Sequence, residues 1–153
     1  SAASVTFSAI DQSFGDLVLV TSALGVGDVY PGIRFNSDSS STYSYVVMRG
    51  NGSTSSSSSS STTNAGIITA FTWASGTNAN LSSVSIMDYA ATDKHKSWLS
   101  RAGQANGGSG YGTEAIAGRW PQTSAITSIE VVGGGGTYAA GSTFHLYGIA
   151  KAL

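Results

Sequence analysis

Residues that could carry acid–base or nucleophilic chemistry are few in this chain and far apart. The histidines are His95, which lies between Lys94 and Lys96, and His145, in an alternating segment near the end. A serine nucleophile needs a base and an orienting acid beside it. The flanking lysines disfavour His95 as a base, and alternation predicts that His145 is a surface or interface imidazole. We therefore expect no catalytic residues and no enzyme.

Carboxylates and glycines give no stronger sign of a site. There are six Asp and two Glu, most of them in predicted turns or at strand edges, and nothing pairs two of them as glycoside hydrolysis requires. The glycine-rich stretches at 107–110 and 133–136 are followed by no predicted helix, so a phosphate would lack the N-terminal N–H groups that hold it. Both are predicted to be hairpin loops, and no cofactor is expected.

One segment has the residue types of a metal ligand set. Asn36 and Asp38 present oxygens at alternating positions, as calcium loops do. The closing bidentate Glu of such a loop is missing, and Asn and Asp are common in turns. The hypothesis is at most one weakly binding calcium site.

The aromatic residues are more informative than the charged ones. Most lie in predicted strands, where core packing is their ordinary role. Any that are exposed would be anchors for a protein partner or stacking surfaces for a sugar. The candidates for such an interface are Trp73, Trp98, Tyr111, His145 and Tyr147.

Charge is scarce, at 10% of residues against a usual figure of about 25%. With a net charge of −1, the chain has little field to attract nucleic acid, so no nucleic-acid partner is expected. No run approaches the roughly 18 apolar residues of a membrane span, so no membrane partner is expected either. There are no cysteines, so disulfides cannot contribute.

Strand patterns recur along the whole chain, and no helical period is sustained. Short alternating runs separated by turn residues predict about 8–10 strands. We predict one all-β domain over 1–153, a two-sheet antiparallel sandwich of jelly-roll type. An immunoglobulin-like sandwich is the alternative, although such domains are usually nearer 100 residues.

Two segments carry separate expectations. Residues 53–64 are almost entirely Ser and Thr, which bury no apolar surface, so they are predicted to form a flexible loop within the domain. The first ten residues are expected either to add an edge strand or to reach a partner.

Several segments together resemble a jelly-roll-like domain family of structural proteins in tailed bacteriophages. The resemblance covers about residues 16–150, and its most specific parts are the two late strands. The matching segments are Ile33-Arg34-Phe35-Asn36-Ser37-Asp38, Tyr43-Ser44-Tyr45, Gly50-Asn51-Gly52-Ser53, Ile86-Met87-Asp88-Tyr89, Lys94-His95-Lys96, Trp120, Ala125-Ile126-Thr127-Ser128-Ile129 and Gly141-Ser142-Thr143-Phe144-His145-Leu146-Tyr147-Gly148-Ile149. The resemblance implies a virion component and no catalytic residues, and it leaves head and tail both open.

Two functions follow as expectations. The first is a capsid decoration, or cement, protein that binds the outside of the capsid as a homotrimer, with the major capsid protein or another virion protein as partner. The second is a tail-fibre or adaptor module that recognises surface glycan. A depolymerase is disfavoured by the shortage of His, Glu and clustered Asp.

Overall fold

Strands account for the regular structure in the described part of the chain. A computed structural model describes residues 1–73, 78–104 and 112–151, and these contain no helix. Ten of their strands have four residues or more, and three have two. In chain order the strands are β1 (Ser4–Phe7), β2 (Asp16–Ala23), β3 (Gly25–Val26), β4 (Tyr30–Phe35), β5 (Tyr43–Gly50), β6 (Ser55–Thr63), β7 (Gly66–Ile67), β8 (Asn80–Met87), β9 (Lys96–Gln104), β10 (Gly112–Trp120), β11 (Ile129–Gly134), β12 (Thr137–Tyr138) and β13 (Thr143–Ile149).

The strands form two large antiparallel sheets. One has four strands in the order β1-β11-β4-β7, and the other has seven in the order β13-β2-β8-β9-β10-β5-β6. The short strands β12 and β3 pair separately. The chain passes repeatedly from one sheet to the other, except along the β5-β6 hairpin and the β8-β9-β10 meander. The predicted all-β, two-sheet antiparallel sandwich is confirmed.

The first ten residues provide an edge strand, as one of the two expectations had it. Ser4–Phe7 pairs with β11, with Phe7 opposite Ile129. A neighbouring backbone bridge joins Ala2 to Tyr138. The start of the chain is therefore part of the four-stranded sheet.

Strict alternation places the core between the sheets. Leu17 and Leu19 of β2, with Val84 and Ile86 of β8, face Ile33 of the four-stranded sheet and are fully or almost fully buried. At one end the core is aromatic. The rings that contact one another there are Phe35, Tyr43, Trp98 and Trp120, with centroids 5.6–6.4 Å apart. Offset and edge-on pairs at these distances stabilise a core beyond the area they bury.

Two glycines make room for one of the two tryptophan side chains in this cluster. A Cβ added to Gly66 or to Gly118 would overlap the ring of Trp98. Trp98 is 2% exposed, and its indole N–H donates to the carbonyl of Ile67 at 3.2 Å. The missing side chains on β7 and β10 therefore create the space that the indole fills.

Several polar groups between the sheets have partners inside the protein. The hydroxyls of Thr21 and Ser82 lie 2.6 Å apart, and that of Ser100 donates to the carbonyl of Ile68 at 2.5 Å. The Lys96 ammonium donates to the carbonyls of Lys94 and Thr123, and its burial lowers the pKa of that group. Buried polar groups with such bonds avoid the cost of desolvation without a partner.

The prediction of a flexible loop at 53–64 is wrong for most of that segment. Ser55–Thr63 forms β6, which pairs with β5 from Gly50 opposite Ser55 to Tyr43 opposite Thr63, with one register shift near the end. The edge of β5 supplies backbone N–H and C=O groups along most of the length of β6. The serines therefore extend the sheet through backbone hydrogen bonds, without burying their side chains. The reversal before β6 is held locally, because the side-chain oxygen of Asn51 accepts the N–H groups of Ser53 and Thr54 at 3.0 and 2.8 Å.

Candidate interaction surface

The interface candidates from the sequence fall into three groups. Trp73 and Trp98 are 0% and 2% exposed, so the prediction that they form surface anchors is wrong. Trp73 packs edge-on against Tyr138 with ring centroids 6.2 Å apart. Tyr111 lies outside the described residues. His145 and Tyr147 are exposed on β13.

His145 and Tyr147 lie side by side on the same face of the last strand. Their ring centroids are 6.3 Å apart and their planes are inclined by 29°. The neighbouring Phe144 and Leu146 point the other way and pack against the core. Alternation therefore placed His145 correctly, on the surface that faces away from the four-stranded sheet. We call that surface of the seven-stranded sheet the outer face.

The two metal candidates use their oxygens to hold loops together. The Asn36 side-chain oxygen accepts the N–H groups of Thr127 and Ser128 at 2.8 and 3.2 Å, and its amide donates to Ala125. One Asp38 oxygen accepts the N–H and hydroxyl of Ser40, and the other accepts the indole N–H of Trp120 at 2.6 Å. These residues connect turns, and the hypothesis of a calcium site gains no support from them.

Hydrogen bonding also decides the acidity of Asp38. Partial burial by itself would raise the pKa of this carboxyl. The bonds from the Ser40 hydroxyl, the Trp120 indole and the Ser40 backbone favour the charged form and outweigh burial. The pKa of Asp38 is therefore held below its ordinary value.

The acidic residues of the described part of the chain are used in structural contacts or stand apart from one another as metal ligands. In the ranges that the structure describes, no three His, Asp or Glu side chains cluster as metal ligands. Glu114 is buried, and one of its oxygens accepts the Thr69 hydroxyl and the Ala70 N–H, the latter at 2.7 Å. Its contacts tie β10 to the segment after β7.

The outer face carries most of the exposed large apolar side chains in the described parts of the chain. Eight of the ten lie there, with exposed fractions from 37% to 60%. They are Val20, Val46, Met48, Leu81, Met87, Leu99, Tyr147 and Ile149. The other two, Val26 and Tyr30, lie elsewhere.

The strand register places these side chains in rows across the outer face, with serine and glycine positions between them. One row runs across all seven strands. It passes through Tyr147, Val18, Ser85, Leu99, Ala117, Val46 and Ser59. At about 4.8 Å per strand this row is roughly 29 Å long. Soluble monomers rarely expose large contiguous apolar surfaces, and such surfaces mark interaction sites.

Few charges interrupt the outer face. Among its described residues, Arg101 and Arg119 are exposed, and Asp16 accepts the N–H of Asp88 at 2.8 Å. An open groove of about 780 Å³ lies on this face, between Leu99 and Arg119 on one side and Ser59 on the other. A shallow and largely apolar groove of this kind is better suited to binding a broad protein surface than to enclosing a small molecule.

Comparisons with known proteins found no relative of this chain. No family model, no curated protein and no solved structure matches the chain. The described residues also include no helix with the length and hydropathy of a membrane span.

Proposed function

We propose that this chain is a non-catalytic structural protein of a tailed-phage virion. In this proposal it is a decoration protein that binds the outside of the capsid as a homotrimer and stabilises the shell. The observation on which this proposal rests is the outer face, where eight large apolar side chains lie exposed on one sheet. The segments that resemble phage structural domains, and the scarcity of charge, support the same role.

The outer face suits contact with another protein more than electrostatic capture. Burying exposed Leu, Val and Met side chains against a complementary surface releases about 25 cal/mol per Å² of apolar area. Its few charges give little attraction at long range, so salt should change attachment only weakly. The partner in this proposal is the major capsid protein or another virion protein.

The test is attachment of the purified protein to capsids that lack it. Val46 and Leu99 flank Ala117 in the central row, so Val46→Lys/Leu99→Lys should abolish co-sedimentation with the capsids. The matched control is Val26→Lys, since Val26 is 51% exposed away from the outer face. Attachment of the double variant at wild-type affinity would contradict the proposal, as would a monomeric mass at micromolar concentration.

A glycan-binding tail module is the second candidate, and one observation favours it. On the outside of the four-stranded sheet, a groove of about 580 Å³ is bordered by Tyr30, which is 56% exposed, and by the Arg34–Glu130 ion pair of 3.6 Å. An exposed aromatic ring beside paired polar groups can stack on a sugar and bond its hydroxyls. Glycan-array binding that is lost in Tyr30→Ala, together with a tail location by immunogold labelling, would favour this function over the first.

A further inference from the structure

The free edges of the two sheets differ in length and in protection. In the four-stranded sheet the edges are β1, with four residues, and β7, with two. In the seven-stranded sheet they are β13, with seven residues and the rings of His145 and Tyr147, and β6, with nine. Proteins protect sheet edges with short strands, charges or proline. β6 is nine residues long and has neither charge nor proline, and its one irregularity is the bulge near its C-terminal end, where Thr62 has a φ of 59°.

β6 is also open on every side except the one that pairs with β5. Apart from Ser60 and Thr63, its residues are exposed on both faces of the sheet. From Ser55 to Ser61, before the bulge, alternate backbone N–H and C=O groups face the edge in the regular spacing that an added strand requires. The edge can therefore accept the backbone hydrogen bonds of another strand, with no bulky side chain in the way.

We propose that β6 pairs with β6 of a second copy of this chain, antiparallel about a two-fold axis. A two-fold contact must be complementary to itself. Ser59 then lies opposite Ser59 of the second copy and Ser57 opposite its Ser61, so the regular overlap covers residues 57–61 and ends before the bulge at Thr62. Small hydroxyl side chains then meet at every central position, and the two seven-stranded sheets become continuous.

Charge also permits this pairing. The charged residue nearest to β6 along the sheet is Arg49 of β5, which pairs with Ser56. In the joined sheet the two Arg49 side chains are at least three strand spacings apart, roughly 14 Å. That separation exceeds the screening length of about 8 Å at physiological salt, so the copies do not repel each other there.

The strength of the contact follows from its chemistry. Serine rows bury little apolar surface, so backbone hydrogen bonds carry the pairing and free copies associate weakly. Copies held side by side on any surface associate much more, because their effective concentration is high. The inference concerns the protein alone and does not rest on the proposed function.

The absence of cysteine makes a clean cross-linking test possible. In the purified protein, Ser59→Cys should form a disulfide-linked dimer under mild oxidation, since facing residues of antiparallel strands lie within disulfide distance. The matched control is Ser85→Cys, an exposed outer-face position on β8, inside the sheet. We expect the dimer to form about tenfold faster with Ser59→Cys.

Charge substitutions test the register. Added to Ser59→Cys, Ser57→Lys/Ser61→Lys places like charges opposite each other and should return cross-linking to the control rate. Ser57→Lys/Ser61→Glu places opposite charges there and should retain it. Equal rates for Ser59→Cys and Ser85→Cys, or equal loss in both charge variants, would overturn the inference. Cross-linking that persists while capsid attachment fails would overturn only the proposed function.

Discussion

The two faces of the seven-stranded sheet are built by the same strands but differ in what their side chains contact. On the inner face, Leu19 and Trp98 are buried, and the hydroxyls of Thr21 and Ser82 bond each other. On the outer face, Leu81 and Leu99 are 60% and 48% exposed. Alternation alone explains the apolar residues of the inner face, because they pack against the four-stranded sheet to form the core. The outer apolar side chains lack a cover within the described chain, which is why they point to a partner.

The largest expected effect compares adjacent residues on opposite faces. Trp98→Ala should lower the free energy of unfolding by about 3–5 kcal/mol, because it leaves a cavity among the core aromatic rings. Leu99→Ala should change it by less than about 0.5 kcal/mol. Urea unfolding of both variants measures the difference. Equal losses would mean that the outer face contributes to the fold as much as the core does.

A smaller effect tests the fit between Trp98 and the glycines. Gly118→Ala should destabilise by about 1–3 kcal/mol, since its methyl group would overlap the indole. In the Trp98→Ala background the same change should cost much less, and a double-mutant cycle measures this coupling. The matched control is Gly103→Ala, where an added Cβ contacts nothing within 4 Å. Additive effects of the changes at 98 and 118 would contradict the packing described.

The smallest effect concerns pH at the rim of the core. Because the pKa of Asp38 is lower in the folded protein, its carboxylate stabilises the fold above the ordinary pKa of about 3.9. That contribution is lost as pH falls through the lower, folded value. Between pH 5 and 3, wild type should therefore lose more thermal stability than Asp38→Asn, measured as the fall in Tm. An equal fall in Tm for Asp38→Asn and wild type would mean that the carboxylate has no such role.

Sequence reasoning succeeded where local pattern decides the outcome. Alternating segments gave the sandwich, and the position of His145 followed from its neighbours. The sequence does not show which way Trp98 points. Lys96 and Trp98 share one side of β9 while Leu99 and Arg101 share the other, so each side has one apolar and one charged residue. Only pairing with β10 and the gap at Gly118 show that the lysine side is the inner one.

The prediction for the serine segment at 53–64 fails for a different reason. Its own residues have little preference for a strand, so composition predicts a loop. What forms β6 is the open edge of β5, a property of another segment that no local pattern reveals. The outer face was missed similarly, since its row joins single residues from seven strands.

The turn at Asn51 has a practical consequence for engineering. Its reversal is closed by the Asn51 side chain and by the Asn51 N–H, which donates to the Thr54 carbonyl at 3.2 Å. The residues of this tip are exposed, so peptides inserted between Gly52 and Ser53 should break only these local bonds and leave the core undisturbed. In the proposed role on a capsid, the protein would then display the inserted epitope in many ordered copies.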